Sequence, residues 1–107
     1  MKWIKWIIAL FRKRTGKWKI KDCSEIPDKI QKGTIYKIYN KDICWQMLME
    51  CPCGCNTLLY LNALPDYKPN WRLSTDKSGE ISIQPSIHRK EGCCSHFFIK
   101  ESRVLWV

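Results

Sequence analysis

The chain has 107 residues, enough for one domain and too few for a large apolar core, so an added staple of disulfides or metal is expected. Its formal net charge of +9 is unevenly spread: residues 1–21 carry eight basic side chains and no acid, which leaves +1 for residues 22–107. The positive charge therefore belongs to a tail, and a uniformly basic nucleic-acid-binding face is excluded.

Within Met1–Arg14, the run from Lys2 to Arg12 fits a short amphipathic helix, with Lys2, Lys5 and Arg12 towards one side and Trp3 and Trp6 on a broad apolar surface. Its apolar stretch is well short of the roughly 20 residues that cross a bilayer. Docking of this helix on its own domain or on a partner protein is expected ahead of a weak membrane-surface contact through residues 1–14. The apolar part ends in Arg12-Lys13-Arg14 rather than in a small-residue cleavage site, so no cleavable signal peptide is read. A cytoplasmic location, at most peripheral to the membrane, follows. Residues 1–18 are taken as the basic helix or tail and residues 19–107 as the folded domain.

Beyond Gly16 the signals are mostly β. Lys19–Asp22 predicts a first strand, and Ser24–Asp28 a turn that Gly33 closes. Thr34–Tyr39 alternates as a half-buried strand does, Asn40-Lys41-Asp42 turns the chain, and Ile43–Met49 returns. That strand leads into Cys51-Pro52-Cys53-Gly54-Cys55, and Thr57–Leu61 leads out again. Trp71–Leu73 and Ile81–Ile83 flank a polar turn at Asp76–Gly79, and Pro85-Ser86-Ile87 follows. After Gly92-Cys93-Cys94-Ser95-His96, the strands Phe97–Lys100 and Arg103–Val107 form a last hairpin around Glu101-Ser102. The fold class expected is mostly β: a small zinc-stabilised β-hairpin domain, zinc-ribbon-like, with a short N-terminal helix.

Five of the seven cysteines and one of the two histidines lie in the two clusters. Thiolate and imidazole are preferred ligands of zinc, and a tetrahedral site closes with four of them. Gly54 lets the backbone turn sharply so that the flanking sulfurs converge, while Pro52 stiffens the turn. An odd cysteine count and a C-x-C-x-C spacing suit a reduced, metal-bound state better than a disulfide scaffold. The candidates are Cys51, Cys53, Cys55, Cys93, Cys94 and His96, two more than one ion needs. Cys53, Cys55, Cys93 and His96 are favoured, with Cys51 as the first reserve. Cys23 and Cys44 stand alone and read as small buried hydrophobes. His88 reads as a surface histidine, and Trp71 as a cover for the metal site or core.

A catalytic metal is disfavoured. The zinc deaminase pattern requires His-x-Glu and Pro-Cys-x-x-Cys, whereas Pro52-Cys53-Gly54-Cys55 is one residue short. Neither histidine lies in His-Glu-x-x-His. Cys94, the spare thiol, has no separate base. No catalytic residue is therefore assigned.

Ile26-Pro27-Asp28, Gly33, Tyr36, the Cys51–Cys55 turn, Trp71-Arg72-Leu73, Pro85-Ser86-Ile87, Cys93-x-Ser95-His96-Phe97 and Val104-x-Trp106 together resemble a family of small bacterial zinc-binding proteins. Its pattern is C-x-C-G-C followed by C-x-S-H, and the resemblance runs from about Lys19 to the end. Members are often encoded beside bacterial ubiquitin-like conjugation genes. The resemblance implies one structural Zn2+, with Cys51, Cys53, Cys55, Cys93 and His96 carried over as metal residues. Cys94 falls at a variable position, and Asn56 stands where many relatives have glycine. The partners it implies are an E1-like, an E2-like or a ubiquitin-like protein, in a pathway of antiviral defence. The function expected is thus a non-catalytic zinc-binding accessory module, not an enzyme. The alternatives are a nucleic-acid-binding zinc module that uses the basic tail, and a zinc-dependent hydrolase or transferase.

Overall fold

The computed structural model describes residues 17–107. Four strands, β1 (Lys19–Cys23), β2 (Thr34–Asn40), β3 (Ile43–Glu50) and β4 (Leu58–Asn62), form one sheet in that order. Another four, β5 (Arg72–Thr75), β6 (Ile81–His88), β7 (His96–Lys100) and β8 (Arg103–Trp106), form a second sheet, again in chain order. Neighbours are antiparallel except β1 and β2, which run parallel with Lys19 opposite Thr34.

Short turns make the antiparallel order. Glu101 and Ser102 join β7 to β8 with φ of 50° and 64°, the left-handed pair that a two-residue hairpin turn requires. Between β5 and β6, the Asp76 carboxylate accepts from the amides of Ser78 and Glu80 at 2.8 and 3.0 Å. This is the local side-chain bonding for which aspartate is favoured in turns.

Alternation along the strands sends one set of side chains from each sheet into a shared core. Ile35, Met47, Met49, Leu59 and Leu61 come from the first sheet, and Ile81, Ile83, Ile87, Phe97 and Ile99 from the second. Trp18 and Cys51 join them. The first sheet is also covered on its other face, where Tyr36, Ile38 and Leu48 pack with Cys23, Ile30 and Leu58. The connection from β1 to β2 supplies that cover, and the Gln31 amide donates to the Tyr36 hydroxyl at 2.9 Å.

Ser102 is buried and joins three segments. Its amide donates to the Ile81 carbonyl, its hydroxyl accepts from the Ile81 amide at 2.9 Å, and its carbonyl accepts from Trp18. Lys17 then pairs with Glu80 at 2.8 Å.

The mostly-β expectation holds, and the strands fall where the alternation predicts them. Their assembly into two packed sheets with a common apolar core goes beyond the separate hairpins of a zinc-ribbon-like arrangement. No helix occurs among the described residues. The helix expected at the N-terminus falls at residues 1–16, outside the described ones, whereas Lys17 and Trp18, grouped with that tail, pack on the domain. Phe97 has no exposed surface and stands between the sheets. Phe97→Ala should lower unfolding free energy by about 3–5 kcal/mol in urea titrations, the range for deleting a buried aromatic ring.

Candidate functional site

At one end of the two sheets, the β3–β4 turn meets the long β6–β7 loop. The turn is closed by the Cys51 amide on the Thr57 carbonyl at 2.8 Å and the Gly54 amide on the Cys51 carbonyl at 3.3 Å. Gly54 has a φ of 92° and Asn56 a φ of 65°. Asn56 thus adopts the left-handed conformation, as asparagine's short polar side chain permits. The loop makes a similar reversal at Gly92 (φ 71°) and Cys94 (φ 55°).

These turns bring four sulfurs together. The Sγ atoms of Cys51, Cys53, Cys55 and Cys93 all lie within 4.8 Å of one another. Cys51 Sγ stands 3.4 Å from that of Cys53 and 3.7 Å from that of Cys93. An ion–sulfur bond of about 2.3 Å gives a tetrahedron edges of about 3.8 Å. The four cysteines could therefore hold a metal ion.

Polar groups surround the sulfurs. Ser95 Oγ lies 3.0 Å from Cys93 Sγ and 3.8 Å from Cys51 Sγ. The Ser95 hydroxyl and amide hold the Cys93 thiol down at about 5, while burial pushes the Cys51 thiol up to about 11. The hydroxyl and amide of Thr57 lower Cys55. Arg89 Nη1 donates to Cys93 Sγ at 3.2 Å and to Cys55 Sγ at 3.5 Å, placing a cation against the thiolates.

His96, the remaining metal candidate, is not brought into this group. Its Nε2 lies 2.9 Å from Ser86 Oγ instead. The strand pleat explains the separation. Phe97 and Ile99 fill the inward positions of β7, so His96, Phe98 and Lys100 take the outward ones. Cys94 also lies apart, its Sγ against the carbonyls of Gly92 and Lys90 at 3.7 and 3.9 Å.

Ser86 reaches His96 because β6 is irregular. Ile83 pairs with Ile99 and Ile87 with Phe97, so the stretch between Ile83 and Ile87 is longer than the strand it faces and bulges. The Trp71 indole donates to the Ser86 carbonyl at 3.2 Å and ties the bulge to the start of the second sheet. His88 is paired with His96 across the strands, and its ring stacks on that of His96 at 4.3 Å between centroids. Both Ser86 and His96 are half-buried and open to the outer face of the sheet.

A serine hydroxyl on an imidazole nitrogen is a nucleophile with a base in reach. Ser86 appears in the sequence only as part of Pro85-Ser86-Ile87, with no chemical role assigned. The signal available was a Ser-x-His strand followed at hairpin distance by Ser95-His96. It is weak, because nothing in the spacing announces the bulge.

Titration of the reduced chain with cobalt(II) should produce the sulfur-to-cobalt charge-transfer absorption of an all-thiolate site. Cys51→Ser, Cys53→Ser or Cys93→Ser should weaken it, while His96→Ala and Cys94→Ser leave it intact. A spectrum that loses intensity in His96→Ala would return that residue to the ligand set.

Neither a curated protein nor a solved structure matches the chain. A family described as the bacterial ubiquitination-like system serine protease (BubE) matches residues 22–107. The association with bacterial ubiquitin-like systems implied by the resemblance is upheld, while the match names a protease rather than a zinc-binding accessory. It overturns the expectation of a non-catalytic module that is not an enzyme, and it fits the hydrolase alternative better. With nearly every described residue matched, this chain belongs to the BubE family, the serine proteases of bacterial ubiquitination-like systems.

Proposed function

We propose that this chain is a serine hydrolase that cleaves an amide bond in a protein partner of a bacterial ubiquitin-like system, with Ser86 as nucleophile and His96 as general base. The observation that carries the reading is the 2.9 Å approach of Ser86 Oγ to His96 Nε2 on an open sheet face. With His96 as the Nδ1–H tautomer, Nε2 accepts the Ser86 hydroxyl. Ser86 Oγ then attacks the substrate carbonyl carbon as its proton passes to Nε2. The C–N bond breaks, and His96 returns the proton to the departing amine. A water attacks the resulting ester with His96 again as base, which releases the acid and restores the Ser86 hydroxyl.

A third group usually orients such a base. Among the described residues His96 has no carboxylate partner, and packing supports its orientation. The His88 ring lies against it, and its carbonyl accepts from the Val107 amide at 3.0 Å. The cysteine cluster supports the same geometry from the other side. Ser95, bonded to two of its sulfurs, directly precedes His96.

The cluster is read as a structural zinc site. Four thiolates at tetrahedral spacing form the closed, all-sulfur set typical of structural zinc, with no position left for a reacting water. When bound, the ion supplies a crosslink between the two sheets, and Arg89 offsets the negative charge that four thiolates leave on a dication.

A fluorophosphonate probe tests the nucleophile without knowledge of the substrate. Labelling should map to Ser86, vanish in Ser86→Ala, and slow by about 100-fold or more in His96→Gln, the usual range for loss of a general base. Labelling that persists in Ser86→Ala would refute the assignment. Chelation should abolish the thermal transition, because structural zinc in small modules contributes about 10–16 kcal/mol. Whole domains have only about 5–15 kcal/mol. A chain that keeps its transition with zinc removed would refute the structural role.

A further inference from the structure

The outward face of the second sheet continues past His96 into a groove of about 470 Å3. It crosses all four strands. Arg72 lines it from β5, Gln84 and Pro85 from β6, Phe98 and Lys100 from β7, and Leu105 from β8. Pro85 immediately precedes Ser86. Phe98 follows His96 by two residues on the same face, about 7 Å along the strand. The groove therefore adjoins the serine–histidine pair.

Its chemistry is specific. Phe98 and Leu105 are paired across β7 and β8 and remain 36% and 52% exposed. They give the groove an apolar floor that no other described residue covers. Arg72 and Lys100 also line the groove, and among the described residues no acidic side chain does. Two cations beside an apolar surface favour a ligand that has both an apolar side chain and a negative charge.

We propose that this groove is the substrate subsite beside Ser86, and that it takes a polypeptide segment in which a large apolar side chain is accompanied by a carboxylate. Phe98, Leu105 and Pro85 receive the apolar group, and Arg72 and Lys100 the carboxylate. This rests on the serine-hydrolase reading and narrows its substrate. The carboxylate belongs either to an Asp or Glu side chain or to the end of a chain, since the same cations serve both.

Direct binding separates this proposal from catalysis. Fluorescein-Gly-Gly-Leu-Glu, -Leu-Gln and -Leu-Lys peptides, each as amide and free acid, are titrated by anisotropy against the full chain carrying Ser86→Ala. The Leu-Glu amide should bind about 5- to 10-fold more tightly than the Leu-Lys amide, as two exposed charge pairs allow. The preference should shrink with added salt. It should reverse when Arg72→Glu and Lys100→Glu are added. A Leu-Gln free acid that equals the Leu-Glu amide supports the proposal with a chain-terminal carboxylate. A Leu-Gln free acid that falls well below it supports the proposal with a side-chain carboxylate. Equal binding of the Leu-Glu and Leu-Lys amides, no binding, or a preference unchanged by charge reversal overturns it. Phosphonate labelling of the parent chain is read alongside: loss of labelling with an intact charge preference strikes the nucleophile assignment, and labelling without a preference strikes the groove.

Discussion

Four sulfurs from the two sheets meet at one end, and the geometry of the site is built around them. Cys51, Cys53 and Cys55 come from the turn of the first sheet and Cys93 from a loop of the second. The β6–β7 loop is closed at its base by the Arg89 amide on the Ser95 carbonyl at 2.8 Å. It is largely exposed, and two of its residues have left-handed backbone angles that favour no regular pairing. Ser95 is the exception, buried between the Cys51 and Cys93 sulfurs. Since His96 is the next residue and opens β7, the position of its imidazole is set by the sulfur cluster on one side and by strand pairing on the other.

The electrostatics explain why such a cluster calls for a cation. Several thiols in van der Waals contact cannot all ionise in isolation, because like charges at this distance oppose one another. The result is a polarised group, with Cys51 held protonated by burial and Cys93 ionised by the donors on Ser95. A divalent ion at the centre would remove that conflict by binding the four sulfurs as thiolates. Arg89, which donates to the Cys55 and Cys93 sulfurs, would then act from outside the ligand shell, where such donors commonly tune a site.

Sulfur and hydroxyl chemistry thus stand beside each other without mixing. Of the four cysteines only Cys51 is buried, as a member of the core cluster, while Cys53, Cys55 and Cys93 are exposed, and the Ser86 hydroxyl lies half-buried on the outer side of the second sheet. Trp71 links the two environments. It packs on the core while its indole N–H holds the Ser86 carbonyl, so the bulge that carries Ser86 is anchored to the hydrophobic interior. An open sheet face rather than a deep cleft suits a substrate that is itself a polypeptide, because an extended chain can lie along it.

Much of the architecture was legible in the sequence. The alternation of Thr34–Tyr39, the paired apolar runs around Asp76–Gly79 and Glu101-Ser102, and the tight turn that carries Cys51, Cys53 and Cys55 follow from local periodicity and turn chemistry, which act over a few residues. The place of Cys51 beside Cys93, where the spacing favours His96, does not. What those local rules could not reach was decided by pairing between distant segments. The parallel β1–β2 pair and the gathering of the strands into two sheets depend on long-range burial. The role of His96 turned on the same kind of effect: its spacing from Cys93 permits a shared ion, but the pleat of β7 gives Phe97 the inward side and turns the imidazole outward. There the bulge in β6 brings Ser86 within hydrogen-bond distance, a meeting that only the register of the folded sheet creates.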